Sequence, residues 1–130
     1  MTDFQDKMLP DAADILAPDG SEVRILCASE RGSAAHFTLA PGQVSKAICH
    51  RTVEEIWYIT EGKGQMWRCH GEREEWLDLQ PGLSLTIPVG TKFQFRNLGR
   101  EPMTAVAVTM PPWPGETEAV VVEGCWAARI

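Results

Sequence analysis

Two glycine-bounded stretches of alternating residues constrain the fold of this chain more than any other feature. The first runs from Gly42 to Gly62. It alternates up to His50, has a short polar break, and alternates again from Glu55. The second covers residues 82–97 with the sequence GLSLTIPVGTKFQFRN. Because side chains alternate between the two faces of a β-strand, the first stretch predicts an imidazole and a carboxyl group close together. We expect the second stretch to close a barrel around them.

Regular turn signals along the rest of the chain predict an all-β protein. Glycine, proline and polar clusters separate short β-prone runs, and no long helical pattern occurs. We predict about nine or ten strands forming a sandwich or barrel, at residues 23–28, 34–39, 44–49, 55–60, 65–69, 75–79, 83–87, 93–97, 104–110 and 120–122. Residues 1–21 are predicted to form an irregular or partly helical N-terminal arm, and residues 22–130 a single barrel domain.

Composition and charge limit the classes of binding partner and the cellular location that we expect for this chain. The apolar fraction is 44%, the charged fraction is 23%, and the formal net charge is -6, without a lysine or arginine cluster. Phosphate binding requires a basic patch, so we expect no nucleic-acid partner. No apolar run has membrane-spanning length, and the N-terminus lacks a secretion-signal pattern, so a cytoplasmic protein without membrane contact is expected. The four cysteines form no CxxC pair and are predicted to be reduced and buried.

The two stretches resemble the two motifs of the cupin superfamily. The positions that match the family's spacing are Gly42, His50, Glu55 and Gly62 in the first motif, and Gly82, Pro88, Gly90 and Asn97 in the second. The resemblance covers roughly residues 35–110 and is closest in character to small single-domain cupins described as mannose-6-phosphate-isomerase-like. It implies a double-stranded β-helix (jelly-roll) barrel, often homodimeric, that holds one metal ion with three histidines and one glutamate.

Two of the four metal-ligand positions implied by this resemblance do not hold a histidine. Ile48 stands at one and Phe93 at the other, so that only His50 and Glu55 remain. Catalytic first-row metal sites usually keep three protein ligands. Two hydrocarbon side chains also make the pocket drier. We therefore predict a degenerate metal centre that holds no cofactor, or at most a weakly bound divalent ion such as Fe, Mn, Ni or Zn.

His50 and Glu55 are also the candidate catalytic residues. Apolar surroundings raise the pKa of a carboxyl group, and a neighbouring imidazole can exchange protons with it near neutral pH. We predict a small-molecule-binding cupin and, if it is an enzyme, an isomerase- or epimerase-type proton transfer on a sugar-like or small carboxylate substrate. The alternatives are a metal-dependent enzyme that uses both residues with water, and a non-catalytic binding or sensing module. For the pair itself, a buried hydrogen-bonded remnant of a metal site is also open.

Apolar side chains near this pair are the candidate ligand contacts: Ile48, Trp57, Phe93, Phe95 and Trp113. The first four share the predicted inward faces of their strands. Trp113 lies in the proline-rich segment PPWPG, where it can either cover the barrel mouth or pack in a homodimer interface. A stiff extended segment with an exposed tryptophan favours the partner contact. The alternation does not assign Trp67 to either face.

Overall fold

The computed structural model describes residues 3–130, so the first two residues of the predicted N-terminal arm lie outside the described residues. Eleven strands and no helix occur in this range: β1 Ile15–Leu16, β2 Glu22–Ala28, β3 Ser33–Leu39, β4 Ile48–His50, β5 Glu54–Glu61, β6 Gly64–His70, β7 Arg73–Leu79, β8 Ser84–Ile87, β9 Lys92–Asn97, β10 Met103–Met110 and β11 Ala119–Val121. The predicted all-β fold is confirmed. Residues 3–130 accordingly contain no helix long and apolar enough to cross a membrane.

The strands form two antiparallel sheets that face each other. The six-stranded sheet has the order β1-β2-β3-β10-β5-β8, and the five-stranded sheet has the order β11-β4-β9-β6-β7. β4 belongs to the five-stranded sheet and β5 to the six-stranded sheet, so the short turn between them crosses from one sheet to the other. This crossing brings the end of β4 next to the start of β5.

The alternation within β5 shows how the sequence pattern fills the core. Glu55, Trp57 and Ile59 are 3%, 1% and 0% exposed, whereas Ile56 and Tyr58 between them are 44% and 51% exposed. Trp57 and Ile59 join a cluster of buried hydrophobic side chains from both sheets. Burying each large apolar side chain contributes on the order of 1.5–3 kcal/mol, so a register slip that turned this face outward would be costly.

The glycines that mark the two motifs occupy turns with a left-handed backbone. Positive φ angles of 79°, 85°, 93° and 81° occur at Gly42, Gly62, Gly82 and Gly90. At Gly62 the space is also closed, because a Cβ there would lie 2.7 Å from the Cα of Met103. Only glycine meets both conditions at that position without strain. The motif glycines therefore reflect turn geometry.

The predicted strand at residues 44–49 is shorter than expected. β4 covers Ile48–His50 only, and Val44 makes isolated bridges to Arg96 and Arg129. The backbone N–H of Phe95 donates to the side-chain hydroxyl of Ser45 at 3.0 Å, so a side chain replaces a ladder hydrogen bond there. The hydrophobic alternation continued through this interruption, which is why the pattern predicted a longer strand.

The segment before β2 packs against the barrel without a helix between residues 3 and 21. β1 pairs with the start of β2, and the guanidinium of Arg24 donates to the carbonyl oxygens of Pro10 and Asp11 at 2.9 and 2.8 Å. The N–H of Lys46 donates to the carbonyl of Asp19 at 2.8 Å, which ties the segment to the loop before β4. The division into an arm and a barrel domain stays a prediction.

The C-terminal segment covers the outer face of the five-stranded sheet. Gln94 is 1% exposed; its amide donates to the carbonyls of Ser45 and Trp126, and its oxygen accepts from the N–H groups of Cys125 and Trp126. Trp67 pairs with Gln94 in register and therefore lies on this outer face. Trp67, which the alternation did not assign to a face, is 5% exposed there.

All four cysteines are free thiols. Cys125 is exposed and the other three are half-buried, so the predicted burial of the cysteines was wrong. Cys27 and Cys69 lie near the ends of β2 and β6, Cys49 is the middle residue of β4, and Cys125 follows β11; none of them belongs to the hydrophobic core cluster.

Candidate functional site

A cavity of about 300 Å³ opens between the two sheets. Its lining is predominantly apolar and comes from β2 and β3, from the inner faces of β4, β5 and β9, and from the segments before β2 and after β10. The lining includes Asp19, Phe37, Ile48, His50, Glu55, Trp57, Phe93 and Trp113. The size suits a small organic molecule.

His50 and Glu55 meet at the floor of this cavity because the β4–β5 turn places them there. His50 ends β4 and Glu55 is the second residue of β5. Nδ1 of His50 lies 3.5 Å from Oε1 of Glu55, and each residue is 3% exposed. The contact does not have hydrogen-bond geometry, and Nδ1 has no hydrogen-bond partner within residues 3–130. The sequence prediction that these two groups converge inside the barrel matches this geometry.

The turn between them is held by Glu118, which no sequence pattern identified. Its carboxylate accepts hydrogen bonds from the N–H groups of Thr52 and Val53 at 2.7 and 3.0 Å, and from the Thr52 hydroxyl. Burial raises the pKa of Glu118, but these hydrogen bonds together outweigh burial and hold that pKa below its usual value. Glu118 thus fixes the turn and places a negative charge near His50.

Burial shifts the pKa values of the central pair in opposite directions. Burial lowers the pKa of His50 to about 4, and the charge of Glu118 opposes that shift. Burial raises the pKa of Glu55 to about 8; the Trp57 indole N–H, 3.3 Å from Oε1, opposes the shift, while Asp19 and Glu118 add to it. Near neutral pH the site therefore contains a neutral imidazole and a protonated carboxyl group rather than an ion pair.

Aromatic rings surround the pair. Phe37 stacks on Trp57 with centroids 5.5 Å apart and planes 6° apart. The rings of Phe93 and Trp113 lie edge-to-face with the imidazole of His50, at centroid distances of 5.4 and 5.2 Å. Offset and edge-to-face contacts of this kind fix ring orientations and exclude water.

The structure brings together four of the five predicted ligand contacts. Ile48, Trp57, Phe93 and Trp113 line the cavity, and Trp113 covers His50 at the mouth while 37% exposed. Two roles were predicted for Trp113, covering the barrel mouth or packing in a homodimer interface. Its contact with His50 corresponds to the first role, and the homodimer contact stays a prediction. Phe95 does not line the cavity, because it packs behind Trp57 at a centroid distance of 5.1 Å.

The donors present do not fit a resident metal ion. Ile48 and Phe93 pair directly across β4 and β9 and are 2% and 1% exposed, so hydrocarbon fills the two positions where the resemblance implies histidine. The remaining histidines lie elsewhere: His36 is on the outer face of β3, and His70 contacts Thr91 at 3.0 Å. Within the described part of the chain no three His, Cys, Asp or Glu residues form a metal-binding group. One imidazole and one protonated carboxyl group leave most of a coordination shell unfilled.

Asp19 is a second site residue that the sequence reasoning missed. It lies in a Pro-Asp-Gly-Ser turn, where its Oδ1 accepts hydrogen bonds from the N–H and the hydroxyl of Ser21 at 2.8 and 2.6 Å. The turn signal predicted a loop but not its burial; Asp19 is 2% exposed, and burial raises its pKa. The alternation could have identified Phe37, because it shares the inward face of β3 with Leu39.

Comparison with known proteins adds independent findings. Residues 35–109 match the family model described as Cupin domain. A curated relative, an uncharacterized protein of Methanocaldococcus jannaschii, is 29% identical over 111 residues, which cover 82% of this chain and 86% of the relative.

Solved structures share the barrel at low sequence identity. An oxalate decarboxylase of Bacillus subtilis aligns with a TM-score of 0.69 and 19% identity over 78% of this chain, and CapF bound to an inhibitor aligns with a TM-score of 0.70 and 19% identity over 83%. Peruvianin-I, a cysteine peptidase from the latex of Thevetia peruviana, aligns with a TM-score of 0.72 and 19% identity over 86%. The alignments cover 28%, 33% and 72% of those chains, so this chain spans about a third or less of the first two. At such identities the likeness shows the fold alone. The B. subtilis oxalate decarboxylase is described as having Mn(II) centres.

Proposed function

The chain belongs to the cupin domain family, and from this premise we propose that it is a small-molecule-binding cupin whose metal centre is degenerate. The observation that supports this most directly is the replacement of metal donors by hydrocarbon. Ile48 and Phe93 flank His50 at the floor of a cavity of about 300 Å³. A cavity of this size with an apolar lining and a few convergent polar groups is the usual form of a binding site for an organic ligand.

Direct binding measurements test this proposal. We expect 2-phenylethanol, a neutral probe that fits an apolar cavity, to change the tryptophan fluorescence of the protein, because Trp57 and Trp113 line the cavity. The variant Ala35→Phe, which places a ring inside the lining, is expected to abolish binding. Ser84→Phe adds the same ring on an exposed position of the same sheet and serves as the control. Equal binding by the wild type and Ala35→Phe would contradict the proposal.

A second candidate is an isomerase-type proton transfer, which the opposite pKa shifts of the central pair favour. In this scheme the neutral imidazole of His50 takes a proton from the carbon next to a carbonyl group. The carboxyl group of Glu55 donates its proton to the carbonyl oxygen, which gives an enediol. The imidazolium of His50 then returns its proton to the former carbonyl carbon, and the Glu55 carboxylate takes the proton of the neighbouring hydroxyl group, whose oxygen becomes the new carbonyl oxygen. The sequence-based expectation of a sugar-like or small carboxylate substrate belongs to this candidate.

Exchange of substrate hydrogen with deuterated water tests the second candidate without knowledge of the product. Wild-type protein is expected to catalyse the exchange on a panel of hydroxy-carbonyl compounds, and His50→Ala to lower the rate by about a hundredfold or more. If His50→Ala exchanges as fast as the wild type while still binding 2-phenylethanol, His50 is not the base and this proton-transfer scheme is contradicted.

A further inference from the structure

We propose that the cavity selects an organic ammonium ion with an apolar body, that is, a hydrophobic primary amine. This inference rests on the proposed ligand-binding function and names its ligand class. Three separate features of the lining support it. Its ionisable groups are predominantly acidic, the buried Nδ1 of His50 has no hydrogen-bond partner within residues 3–130, and aromatic rings form part of its walls.

The ionisable groups around the cavity are predominantly acidic. Asp19 and Glu55 line it and are 2% and 3% exposed, and Glu118 interacts electrostatically with both His50 and Glu55. No lysine or arginine lines the cavity among the residues that the structure describes. Buried acidic groups without basic partners are stabilised by a cation. An anionic carboxylate or phosphate ligand would find no counter-charge here.

The floor of the cavity offers acceptors that an ammonium group can satisfy. Nδ1 of His50 is buried and has no hydrogen-bond partner within residues 3–130, and it lies 3.5 Å from Oε1 of Glu55. A primary ammonium group has three N–H donors and no acceptor. One such group placed over the pair can donate to the imidazole nitrogen and to Oε1 of Glu55, whose carboxyl group releases its proton to solvent as the ammonium ion binds. A metal ion would need more donors than these two provide.

The walls suit both the charge and the carbon body of such a ligand. Four aromatic rings, those of Phe37, Trp57, Phe93 and Trp113, line the cavity around His50. Ring faces attract a cation within about 6 Å of their centroids, and this attraction strengthens when water is excluded. Aliphatic side chains of the lining, such as Ile25, offer contacts to hydrocarbon but few hydrogen bonds for a polyhydroxylated molecule.

Three probes with the same ring and different polar groups test the ligand class. Titration calorimetry near neutral pH would compare 2-phenylethylammonium, 2-phenylethanol and phenylacetate. We expect the ammonium ion to bind about tenfold or more tightly than the alcohol, because a charge-assisted hydrogen bond is about twice as strong as a neutral one, and phenylacetate to bind most weakly. If the alcohol binds as tightly as the ammonium ion, the ligand class is wrong while the proposed binding function stands. Failure of all three to bind would overturn both.

A pair of adjacent variants tests the part assigned to Glu55. Glu55→Gln is expected to reduce the preference for the ammonium ion over the alcohol to about threefold or less, since the amide cannot balance the charge. Glu54→Gln changes the exposed neighbour and is expected to keep the wild-type preference. Measuring the ratio of two affinities in each variant separates loss of selectivity from loss of the fold. An unchanged ratio in Glu55→Gln would contradict the assignment.

Discussion

Nδ1 of His50 lies 3.5 Å from Oε1 of Glu55 in the interior of the barrel, and near neutral pH neither group is charged. Burial lowers the pKa of His50 to about 4 and raises the pKa of Glu55 to about 8. For a buried ion pair to form here, its Coulombic attraction would have to offset the free-energy cost of desolvating both partners. Instead, burial keeps both groups neutral, so that a ligand with its own charge or hydrogen bonds can change their protonation state.

The raised pKa of Glu55 predicts that stability falls as pH rises from about 4.5 to about 8 and levels off above that range. The folded protein holds this proton up to a pH of about 8, whereas the unfolded chain releases it near the ordinary glutamate pKa of 4.5. The stability that the protonated group contributes is therefore complete below the unfolded pKa and is lost as pH rises through the folded pKa. Between about pH 7 and pH 9 the free energy of unfolding should fall by about 1 kcal/mol on this account. Urea unfolding at several pH values measures it.

Glu55→Gln should remove this part of the pH dependence, because the amide does not titrate. Glu54→Gln should retain it, since that side chain is exposed. For His50 the sign is reversed: its stability contribution is present above the unfolded pKa and is lost as pH falls toward about 4. An identical alkaline slope in the wild type and Glu55→Gln would show that Glu55 is ionised in the folded protein.

Trp113→Ala should weaken binding of aromatic probes with little loss of stability. The ring covers His50 at 5.2 Å and lines the cavity, yet it is 37% exposed. The backbone N–H at this position donates to the Ser33 hydroxyl at 2.9 Å, and alanine keeps that bond. We expect affinity for 2-phenylethanol to fall about fivefold to tenfold, and the free energy of unfolding by less than about 1.5 kcal/mol. Trp76→Ala, at an exposed ring outside the cavity lining, is the control; an equal loss of affinity there would argue against a covering role for Trp113.

Glu118→Ala should destabilise the fold through the β4–β5 turn. The substitution leaves the N–H groups of Thr52 and Val53 without their acceptor, and the Val53 N–H is buried. We expect a loss of about 2–4 kcal/mol, because hydrogen bonds to a charged acceptor are stronger than neutral ones and the unsatisfied donors remain. Glu116→Ala removes an exposed carboxylate from the same segment and should change stability by less than about 0.5 kcal/mol. Equal effects of the two variants would show that the turn does not depend on Glu118.

The sequence predicted those parts of the molecule that depend on local alternation and turns. The strands that flank His50 and Glu55, and the burial of Ile48, Trp57 and Phe93, follow from a period of two residues between glycines. Glu118 could not be found in this way, because its partner Thr52 is distant in sequence and only the pairing of β11 with β4 brings them together. Asp19 was missed for a related reason, since a turn signal does not show whether the turn is buried. Phe95 lies on the predicted inward face, but it packs against Trp57 and does not line the cavity.

Restoring the two absent histidines should create a metal site. Ile48 and Phe93 are direct partners across β4 and β9, and Phe93 already touches the imidazole of His50. The double variant Ile48→His with Phe93→His would give four donors around one point, together with His50 and Glu55. We expect its affinity for Zn²⁺ or Mn²⁺ to rise by about a hundredfold or more over the wild type, because a complete set of ligands replaces water. Leu85→His, a substitution of another buried core residue, is the control for non-specific effects.

The metal content of wild-type protein purified without a metal-binding tag tests the central claim most directly. The protein would be equilibrated with Mn²⁺, Fe²⁺, Ni²⁺ or Zn²⁺, desalted, and analysed for elements per chain, with the double-histidine variant as the positive control. The hydrocarbon at positions 48 and 93 predicts far less than one retained ion per wild-type chain. Retention of about one ion per wild-type chain, lost in His50→Ala, would contradict the degenerate centre and the apolar ligand site built upon it.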